Sequence, residues 1–231
     1  MHSGAGEPAP SRTRRLAEFG LICFSCYNSA MTEVEKLLQT VDEKAYTHLI
    51  FDLDATLTLL NLPWAEWVEM ITKRLPPNQA ASFRHILDDD GSGWQQVANE
   101  HVVQYDTFLP ALIEASEEFE STYFAHTPYD ELAQAVHRLA GQGKTLYAWS
   151  ANMRSTVERA LMELGIRQHF TKLVAREDVR LAKPHPEGWQ LLEDGTPRRQ
   201  YLFVGDSSND AGAAHALGID YFEITYFKRN R

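Results

Sequence analysis

The amino-acid sequence predicts an α/β protein, in which a parallel β-sheet has helices on both faces and carries an inserted helical domain. Short β-branched and aromatic segments alternate along the chain with amphipathic helical segments, as they do in parallel sheets. Acidic residues directly follow two of these predicted strands. Residues 61–126 interrupt the alternation with a tryptophan-rich stretch that has helical periodicity and no clear strand.

The first regular elements are a helix and a buried strand. Val34, Leu37, Leu38 and Val41 are spaced i, i+3, i+4, i+7, which predicts an amphipathic helix. The apolar run His48–Leu53 then predicts a strand that ends in acidic residues. Similar runs predict three more parallel strands at Thr145–Trp149, Leu173–Ala175 and Tyr201–Val204.

Helices are predicted between these strands. One begins at Thr127-Pro128, because proline is favoured at the first helical position, and its apolar stripe is Leu132, Val136 and Leu139. A glycine at the end predicts the limits of two more helices, which are Met153–Leu164 before Gly165 and Asn209–Leu217 before Gly218.

The pattern divides the chain into three parts. Residues 31–60 and 127–231 form the α/β core, residues 61–126 form a helical cap, and residues 1–30 form a disordered extension. The cap is too long and too apolar to be a loop. We expect it over the carboxyl ends of the strands, where open α/β sheets bind ligands.

Two groups of cap residues each allow a structural and a functional interpretation. Large aromatic rings usually form the core of a small domain but can also line a binding surface, and the cap contains Trp64, Trp67 and Trp94. Basic side chains usually form a solvated face but can also bind an anionic substrate, and the cap contains Arg74, Arg84 and His85.

The extension is rich in Gly, Pro and Ser and has no periodicity. Its basic start and short apolar run are features of a signal peptide, but Glu18 and Asn28 interrupt the run and no A-x-A cleavage site follows. Cys23 and Cys26 form a C-x-x-C without a second pair, so we interpret them as incidental cysteines rather than a redox or metal site.

Charge and composition exclude several classes of protein. The chain has 22 Lys+Arg and 32 Asp+Glu, a formal net charge of −10, with 44% hydrophobic residues. This acidic balance opposes generic binding to nucleic acid or to an anionic membrane. No stretch approaches the roughly 18–20 apolar residues of a membrane span, and two cysteines cannot form the disulfide framework of a secreted scaffold. We therefore predict a cytoplasmic protein.

Four acidic residues fall at the ends of two predicted strands. Asp52 and Asp54 follow the first strand, Asp206 follows the last, and Asp210 comes one helical turn later. Taken singly, each could be a helix cap or a turn residue. Together they would repel one another strongly unless a cation lies among them. Oxygen ligands of this kind suit Mg²⁺, which indicates a magnesium site at this sheet edge.

A hydroxyl and an ammonium group extend this pattern. Ser150 ends the strand TLYAW, and Lys183 lies in LAKPHPEGW between the third and fourth strands. Such groups suit a metal-bound phosphoryl group, because the hydroxyl donates a hydrogen bond and the ammonium neutralises charge. We expect Pro184 and Pro186 to hold the chain extended and so to position Lys183.

These segments together resemble a known family. FDLDATL, the strand that ends in Ser150, KPHPEGW and VGDSSND resemble the four ordered motifs of the haloacid dehalogenase (HAD) superfamily, over roughly residues 46–225. The sequence is most similar to phosphoglycolate-phosphatase-like members, which implies a three-layer Rossmann-like core with a helical cap. One departure is Ala55, which stands where the family usually has glycine.

The resemblance implies a role for each motif residue. Asp52 would be the nucleophile that forms an aspartyl-phosphate, and Asp54 would act as general acid and then as general base. Mg²⁺ would be bound by the carboxylates of Asp52 and Asp206 and by the main-chain carbonyl of Asp54. Asp210 would orient the metal ligands.

The same resemblance implies that three residues hold the phosphoryl oxygens, namely Thr56, Ser150 and Lys183. The substrate would be a small phosphorylated metabolite, hydrolysed by a monomer or a homodimer that binds neither nucleic acid nor membrane. Asp54 argues against the dehalogenase branch, in which this position is not acidic. The phosphonate-cleaving branch uses a cap lysine, and the cap contains only Lys73.

Two alternatives share the same residues. A β-phosphoglucomutase-like phosphotransferase keeps all four acids, so the core motifs do not separate it from a phosphatase. A non-catalytic phosphate-binding scaffold protein could keep the fold, although every expected reacting residue is present here. A phosphatase assay with Mg²⁺ separates these classes.

We predict that residues 1–30 are dispensable, because they lack a packing pattern and Met31 could serve as a start. Expression from Met31 should give soluble protein with unchanged kcat/KM for a phosphomonoester. Insoluble protein or a large loss of activity would contradict this prediction.

Overall fold

The computed structural model describes Met1 and residues 31–84 and 94–229. The predictions for residues 2–30, including the disordered extension and the C-x-x-C pair, therefore lie outside the described residues. The same is true of His85.

Five parallel strands form the central sheet. In chain order, the strands of the described chain are β1 (His48–Phe51), β2 (Thr58–Leu60), β3 (His126–Pro128), β4 (Thr145–Trp149), β5 (Phe170–Val174), β6 (Tyr201–Gly205) and β7 (Asp220–Glu223). The sheet order is β5-β4-β1-β6-β7, and β2 pairs with β3 in a separate antiparallel ladder. Strand β1 therefore lies at the centre, between β4 and β6.

The α-helices of the described chain are α1 (Glu33–Glu43), α2 (Trp64–Thr72), α3 (Pro77–Arg84), α4 (Trp94–Gln104), α5 (Phe108–Tyr123), α6 (Asp130–Gly141), α7 (Arg154–Glu163), α8 (Trp189–Leu192), α9 (Ser208–Leu217) and α10 (Tyr226–Arg229). Most α-helices of the described chain lie between these strands in the sequence, while α1 precedes β1 and α10 follows β7. Helices α2 to α5 all lie between β2 and β3 in the chain. No described helix has the length and the apolar character needed to cross a lipid bilayer.

The two faces of β1 bury different residues, and this produces three layers. Leu49 and Phe51 pack into one apolar cluster, which contains Leu37 of α1, Leu132 of α6 and Val157 of α7. Ile50 points to the opposite face and packs into a second cluster, whose members include Trp189, Leu192, Ala213 and Leu217 from α8 and α9. Alternating side chains of one strand thus contact helices on both sides. The predicted three-layer α/β fold is confirmed.

Helix α1 begins where the sequence predicts it. The side chain of Thr32 accepts a hydrogen bond from the Glu35 N–H, and the Thr32 N–H donates one to the side chain of Glu35, so two terminal donors are satisfied. Val34, Leu37 and Val41 are buried, as the spacing predicted. Leu38 is only partly buried.

The prediction of a helix start at Thr127-Pro128 is wrong. These residues belong to β3, in which Pro128 pairs with Thr58, and α6 begins two residues later, at Asp130. The hydroxyl of Thr58 donates to the Thr127 carbonyl at 2.7 Å, and the N–H of Tyr129 donates to the Leu57 carbonyl at 3.1 Å. These cross-strand contacts outweigh the preference of proline for a first helical turn.

One strand prediction needs correction, and one strand was missed. The predicted strand Leu173–Ala175 begins earlier, at Phe170, and ends at Val174. Strand β7 was not predicted, because Asp220–Glu223 is a polar and half-exposed edge strand without the apolar run that identifies the central strands.

The inserted helices enclose an aromatic cluster. Trp67 is 4% exposed, and its indole N–H donates to the Ser116 hydroxyl at 2.9 Å, so this tryptophan belongs to the core. Phe83 and Phe119 pack in the same apolar cluster as β1, which makes the interior of the insertion continuous with one face of the sheet.

The loop after β1 has a left-handed turn at Ala55, whose φ is +59°. The turn brings three successive N–H groups, those of Thr56, Leu57 and Thr58, to the carbonyl of Leu53 at 3.0–3.2 Å. This backbone conformation is unfavourable for a residue with a Cβ atom and is readily adopted by glycine. The departure from the family pattern thus falls at a position where glycine would relieve strain.

We predict that Ala55→Gly raises the free energy of unfolding by roughly 0.5–1 kcal/mol, because it removes left-handed strain but adds chain entropy. Urea denaturation measures the change. Ala81→Gly is the matched control, since Ala81 is exposed within α3 and its replacement should destabilise by about 0.5–1 kcal/mol. An equal decrease in the free energy of unfolding in Ala55→Gly and Ala81→Gly would contradict left-handed strain at Ala55.

Candidate active site

The carboxyl ends of β1 and β6 bring two aspartates to one edge of the sheet. Phe51 pairs with Val204, and the N–H of Asp52 donates to the Val204 carbonyl at 2.9 Å, which continues the ladder. Asp206 follows β6 directly, and Asp210 lies in the first turn of α9. Carboxylate oxygens of Asp52, Asp206 and Asp210 all lie within 4.8 Å of one another.

The buried ammonium group of Lys183 lies among these carboxylates and partly offsets their negative charge. Nζ of Lys183 lies 2.6 Å from Oδ1 of Asp52 and 2.5 Å from Oδ1 of Asp210, and it donates to the Trp149 carbonyl at 2.9 Å. Lys183 is 2% exposed. Three oxygen acceptors thus satisfy the three ammonium donors, as a buried charge requires. Lys183 joins the ends of β1 and β4 to α9.

The prediction that Pro184 and Pro186 hold the chain extended around Lys183 is wrong. The Lys183–Pro184 peptide bond is cis, and Pro186–Gly188 forms a 3₁₀ turn. The predicted positioning of Lys183 therefore comes from its buried contacts rather than from an extended backbone.

Burial and neighbouring charge shift the acid–base equilibria of the cluster. Burial, with the charges of Asp210 and Asp206, raises the pKa of Asp52 to about 7, against the opposing effect of Lys183. Burial and the charge of Asp210 raise the pKa of Asp206 to about 6. Burial by itself lowers the pKa of Lys183, but the carboxylates of Asp210 and Asp52 outweigh it and raise that pKa overall.

The amino terminus of α9 fixes Asp210. Ser207 caps the helix, and its N–H and hydroxyl donate to Oδ2 of Asp210 at 3.1 and 2.6 Å. A Cβ atom at Gly205 would lie 2.7 Å from the side chain of Asp210, so glycine is needed there for close approach. Both oxygens of Asp210 are thus engaged, one by the cap of α9 and one by Lys183.

Asp54 is held by the end of β2, just before the insertion. Its Oδ1 accepts a hydrogen bond from the N–H of Leu60 at 2.8 Å, at the end of β2. Asp54 is partly exposed and lines the cleft at this sheet edge, as Asp52 and Asp206 do. The structure therefore brings all four predicted acids together.

Thr56 and Ser150 lie beside the acids but below the cleft surface. Thr56 is fully buried, and its hydroxyl lies 3.3 Å from Oδ2 of Asp52. The hydroxyl of Ser150 donates to Oδ1 of Asn152 at 2.9 Å and accepts from the Asn152 N–H at 3.1 Å. Neither residue lines the cleft in this conformation. Their predicted contact with phosphoryl oxygens stays a prediction.

The cleft above the acids has a volume of about 430 Å³, within the usual range for a small-molecule site. The core supplies most of its described lining, including the start of α9, and the insertion supplies Trp64, Trp94 and Gln95. Asn152 and Lys228 also line it and were not predicted. The ammonium of Lys228 donates to the Asp206 carbonyl and to Glu223.

A buried carboxyl group connects the insertion to the loop that contains Ser150. Glu120 of α5 is 3% exposed, and its two oxygens accept hydrogen bonds from the Met153 N–H at 3.0 Å and from Nδ2 of Asn152 at 3.4 Å. Met153 is the N-cap of α7 and has no side-chain cap of its own, so Glu120 satisfies a terminal donor of that helix. Burial raises the pKa of Glu120 to about 8.

Sequence reasoning missed Glu120, Asn152 and Lys228. Nothing in the local pattern distinguishes Glu120 from the other acidic residues of its helix. The only available signal was its position in the helix: Glu120 lies one turn after Ser116 and next to Phe119, both of which are on the buried side of α5.

Comparisons with known proteins show the family of this chain. The family model for haloacid dehalogenase-like hydrolases matches residues 49–224. A phosphoglycolate phosphatase from Pectobacterium atrosepticum is 29% identical over 190 residues, which cover 77% of this chain and 80% of that protein. Pyrophosphatase PpaX from Bacillus velezensis is 30% identical over 193 residues, which cover 76% and 82%.

A solved structure supports the fold. The crystal structure of a predicted phosphoglycolate phosphatase from Haemophilus somnus has a TM-score of 0.52 and 21% identity to this chain, over 76% of this chain and 84% of that one. Because the family model matches most of the chain, the chain belongs to the haloacid dehalogenase-like hydrolase family. The resemblance stated from the sequence is confirmed.

We predict that Glu120 makes the protein less stable as pH rises. Below about pH 4.5 the carboxyl of Glu120 is protonated in both the folded and the unfolded protein. Between about pH 4.5 and about pH 8, the unfolded chain loses this proton while the folded protein keeps it. Unfolding then becomes more favourable by roughly 1.4 kcal/mol per pH unit from this group alone. Glu120→Gln should remove this part of the pH dependence.

Denaturation at several pH values between 5 and 8 measures the difference between the variant and the wild type. Glu114→Gln is the matched control, because Glu114 is exposed on the same helix. If the free energy of unfolding depends on pH in the same way in Glu120→Gln and in Glu114→Gln, the buried carboxyl of Glu120 does not titrate as described.

Proposed function

We propose that this protein is a Mg²⁺-dependent phosphatase, which hydrolyses a small phosphomonoester through an aspartyl-phosphate at Asp52. The observation that carries the proposal is the position of Asp52. It lies at the floor of a cleft, 6% exposed, with the Lys183 ammonium 2.6 Å from one oxygen and two further aspartates within 4.8 Å. The names of the relatives, phosphoglycolate phosphatase and pyrophosphatase, support a phosphate ester or anhydride as substrate.

The donor atoms of the cluster fit a hard divalent cation. All of them are carboxylate oxygens, which Mg²⁺ prefers over nitrogen or sulfur ligands. Asp52 and Asp206 would hold the ion together with the main-chain carbonyl of Asp54. Asp210 would support them, since Lys183 and Ser207 already bind its two oxygens. The bound ion would neutralise charge on the phosphoryl group and on the carboxylates.

In the first half-reaction, a carboxylate oxygen of Asp52 attacks phosphorus and the bond from phosphorus to the leaving oxygen breaks. Asp54, at the same cleft, donates a proton to that oxygen, so the leaving group departs as a neutral alcohol. Lys183 and the amino terminus of α9 stabilise the negative charge of the phosphoryl group. Thr56 keeps Asp52 oriented through its hydroxyl.

In the second half-reaction, a water molecule attacks the phosphorus of the aspartyl-phosphate. Asp54 now takes a proton from this water, and the acyl-phosphate bond breaks to regenerate Asp52 and release inorganic phosphate. Thr56, Ser150 and Lys183 would hold the phosphoryl oxygens during both steps. Most of the rate gain comes from positioning and charge neutralisation rather than from a strong base.

Release of inorganic phosphate separates the phosphatase from its alternatives. The protein should hydrolyse p-nitrophenyl phosphate with added Mg²⁺ and should lose this activity in excess EDTA. A phosphotransferase would return the phosphoryl group to a sugar, and a phosphate-binding scaffold would release none. The absence of phosphate release from every phosphomonoester would overturn the proposal.

We predict different defects for the two adjacent acids. Asp52→Asn should abolish turnover, because an amide is a poor nucleophile. Asp54→Asn should lower kcat by about 10²–10⁴-fold and still permit phosphoryl transfer to Asp52, because it removes only the proton transfer. Steady-state hydrolysis of a phosphomonoester measures both. Wild-type turnover by Asp52→Asn would show that the assigned nucleophile is wrong.

A further inference from the structure

Side chains, rather than regular secondary structure, hold the segment that leads to Lys183. Residues 179–185 lie between two 3₁₀ turns and form neither helix nor strand. In this segment the Ala182 N–H donates to Oδ1 of Asn99 at 2.9 Å, and Nδ2 of Asn99 donates to the Ala182 carbonyl at 2.8 Å. The amide of Asn99 thus engages both backbone groups of the residue that precedes Lys183.

The core holds the start of the same segment. The two carboxylate oxygens of Glu187 accept hydrogen bonds from the Arg180 N–H at 2.8 Å and from the Leu181 N–H at 2.9 Å. Three successive N–H groups are therefore bound by side chains. Two of them are bound by the core, and the third, that of Ala182, is bound by Asn99 of α4, which belongs to the insertion.

No other described residue accepts the Ala182 N–H. Ala182 is 4% exposed, so without Asn99 this N–H would be buried and unpaired. Its carbonyl would keep only the hydrogen bond from the His185 N–H, at 3.1 Å. The side chain of Arg180 also reaches α4, at the Val102 carbonyl, but Arg180 is exposed and this hydrogen bond is 3.3 Å long. Asn99 therefore makes the closer and better buried contact between α4 and the segment.

The position of this main chain determines where the Lys183 ammonium lies. The ammonium is 2.6 Å from Oδ1 of Asp52, and in the proposed reaction it stabilises the phosphoryl group that Asp52 receives. A misplacement of about 1 Å in an active site can lower the rate by about 10²-fold. Asn99 is not among the described residues that line the cleft, so an effect of Asn99 on the reaction has to pass through the segment that it holds.

We propose that Asn99 is a positioning residue for the reaction, which holds the main chain at Ala182 so that the Lys183 ammonium is placed for phosphoryl transfer to Asp52. One amide matches one N–H and one carbonyl, and it therefore fixes the direction of the backbone as well as its distance. The insertion then contributes to the reaction step itself, in addition to the walls of the cleft. This inference rests on the proposed function.

Replacement of Asn99 tests the proposal through the hydrolysis of p-nitrophenyl phosphate with Mg²⁺. Asn99→Ala should lower kcat by about 10–10²-fold in protein that remains folded, because Lys183 is no longer held for phosphoryl transfer. KM should stay within about threefold of the wild-type value, because every residue that lines the cleft is retained. A loss confined to kcat indicates an effect on the transition state rather than on substrate binding.

Two variants within the insertion are the matched controls. Gln96→Ala removes an exposed amide from the same helix, and both kinetic constants should remain those of the wild type. Ser116→Ala removes the acceptor of the buried Trp67 indole N–H, so it should lower the melting temperature without lowering kcat. The comparison with Ser116→Ala separates an effect on the reaction from a general loss of stability in the insertion.

A second substitution of Asn99 covers the case in which Asn99→Ala does not fold. Asn99→Asp keeps the size of the side chain and the acceptor for the Ala182 N–H, but it places an oxygen against the Ala182 carbonyl in place of a donor. Its kcat should therefore also fall, by about tenfold or more.

Three results would overturn the inference. One is an unchanged kcat in folded Asn99→Ala or Asn99→Asp, whether or not KM or the melting temperature changes. Another is an equal loss of kcat in Ser116→Ala, which would show a general effect of stability. Both results would leave the proposed function intact, because the wild type still hydrolyses the ester. The third is a wild-type protein that releases no phosphate, which would overturn the proposed function together with this inference.

Discussion

The contact of the Lys183 ammonium with Asp52 and Asp210 is the interaction on which the site depends. Burial makes each of these charges unfavourable by itself, and only their mutual contact permits three of them in one interior position. Removal of one partner from such a buried pair costs about 3–5 kcal/mol. The same contact holds Asp52 in place and leaves the neighbouring Asp54 and Asp206 at the cleft surface.

The fold supplies this contact through the register of its central strands. Phe51 lies level with Val204 on one side and with Ala148 on the other, so that Asp52 and the strand end at Trp149 meet at the same edge. Lys183 then binds the last carbonyl of β4, and the cap of α9 orients Asp210 over Gly205. Each of these contacts joins elements that are far apart in the sequence.

Local pattern was sufficient for the strands that run through the core and for the residues that follow them. Asp52 and Asp206 could be placed because the carboxyl ends of parallel strands share one edge. The local sequence pattern did not predict the structure correctly where contacts between distant segments decide it. Pro128 pairs with Thr58 rather than starting a helix, and Glu120 is distinguished from its acidic neighbours only by burial against Met153. The hydroxyl of Ser150 contacts Asn152, a partner that the spacing of motifs does not indicate.

The proposed mechanism depends on transfer of the phosphoryl group to Asp52. The most direct measurement is rapid mixing with a ³²P-labelled phosphomonoester and Mg²⁺, an acid quench within one turnover, and peptide mapping of the labelled protein. We expect acid-stable label in the peptide that contains Asp52, and loss of this label in Asp52→Asn. Single-turnover release of phosphate without labelled protein, or label confined to another peptide, would contradict it.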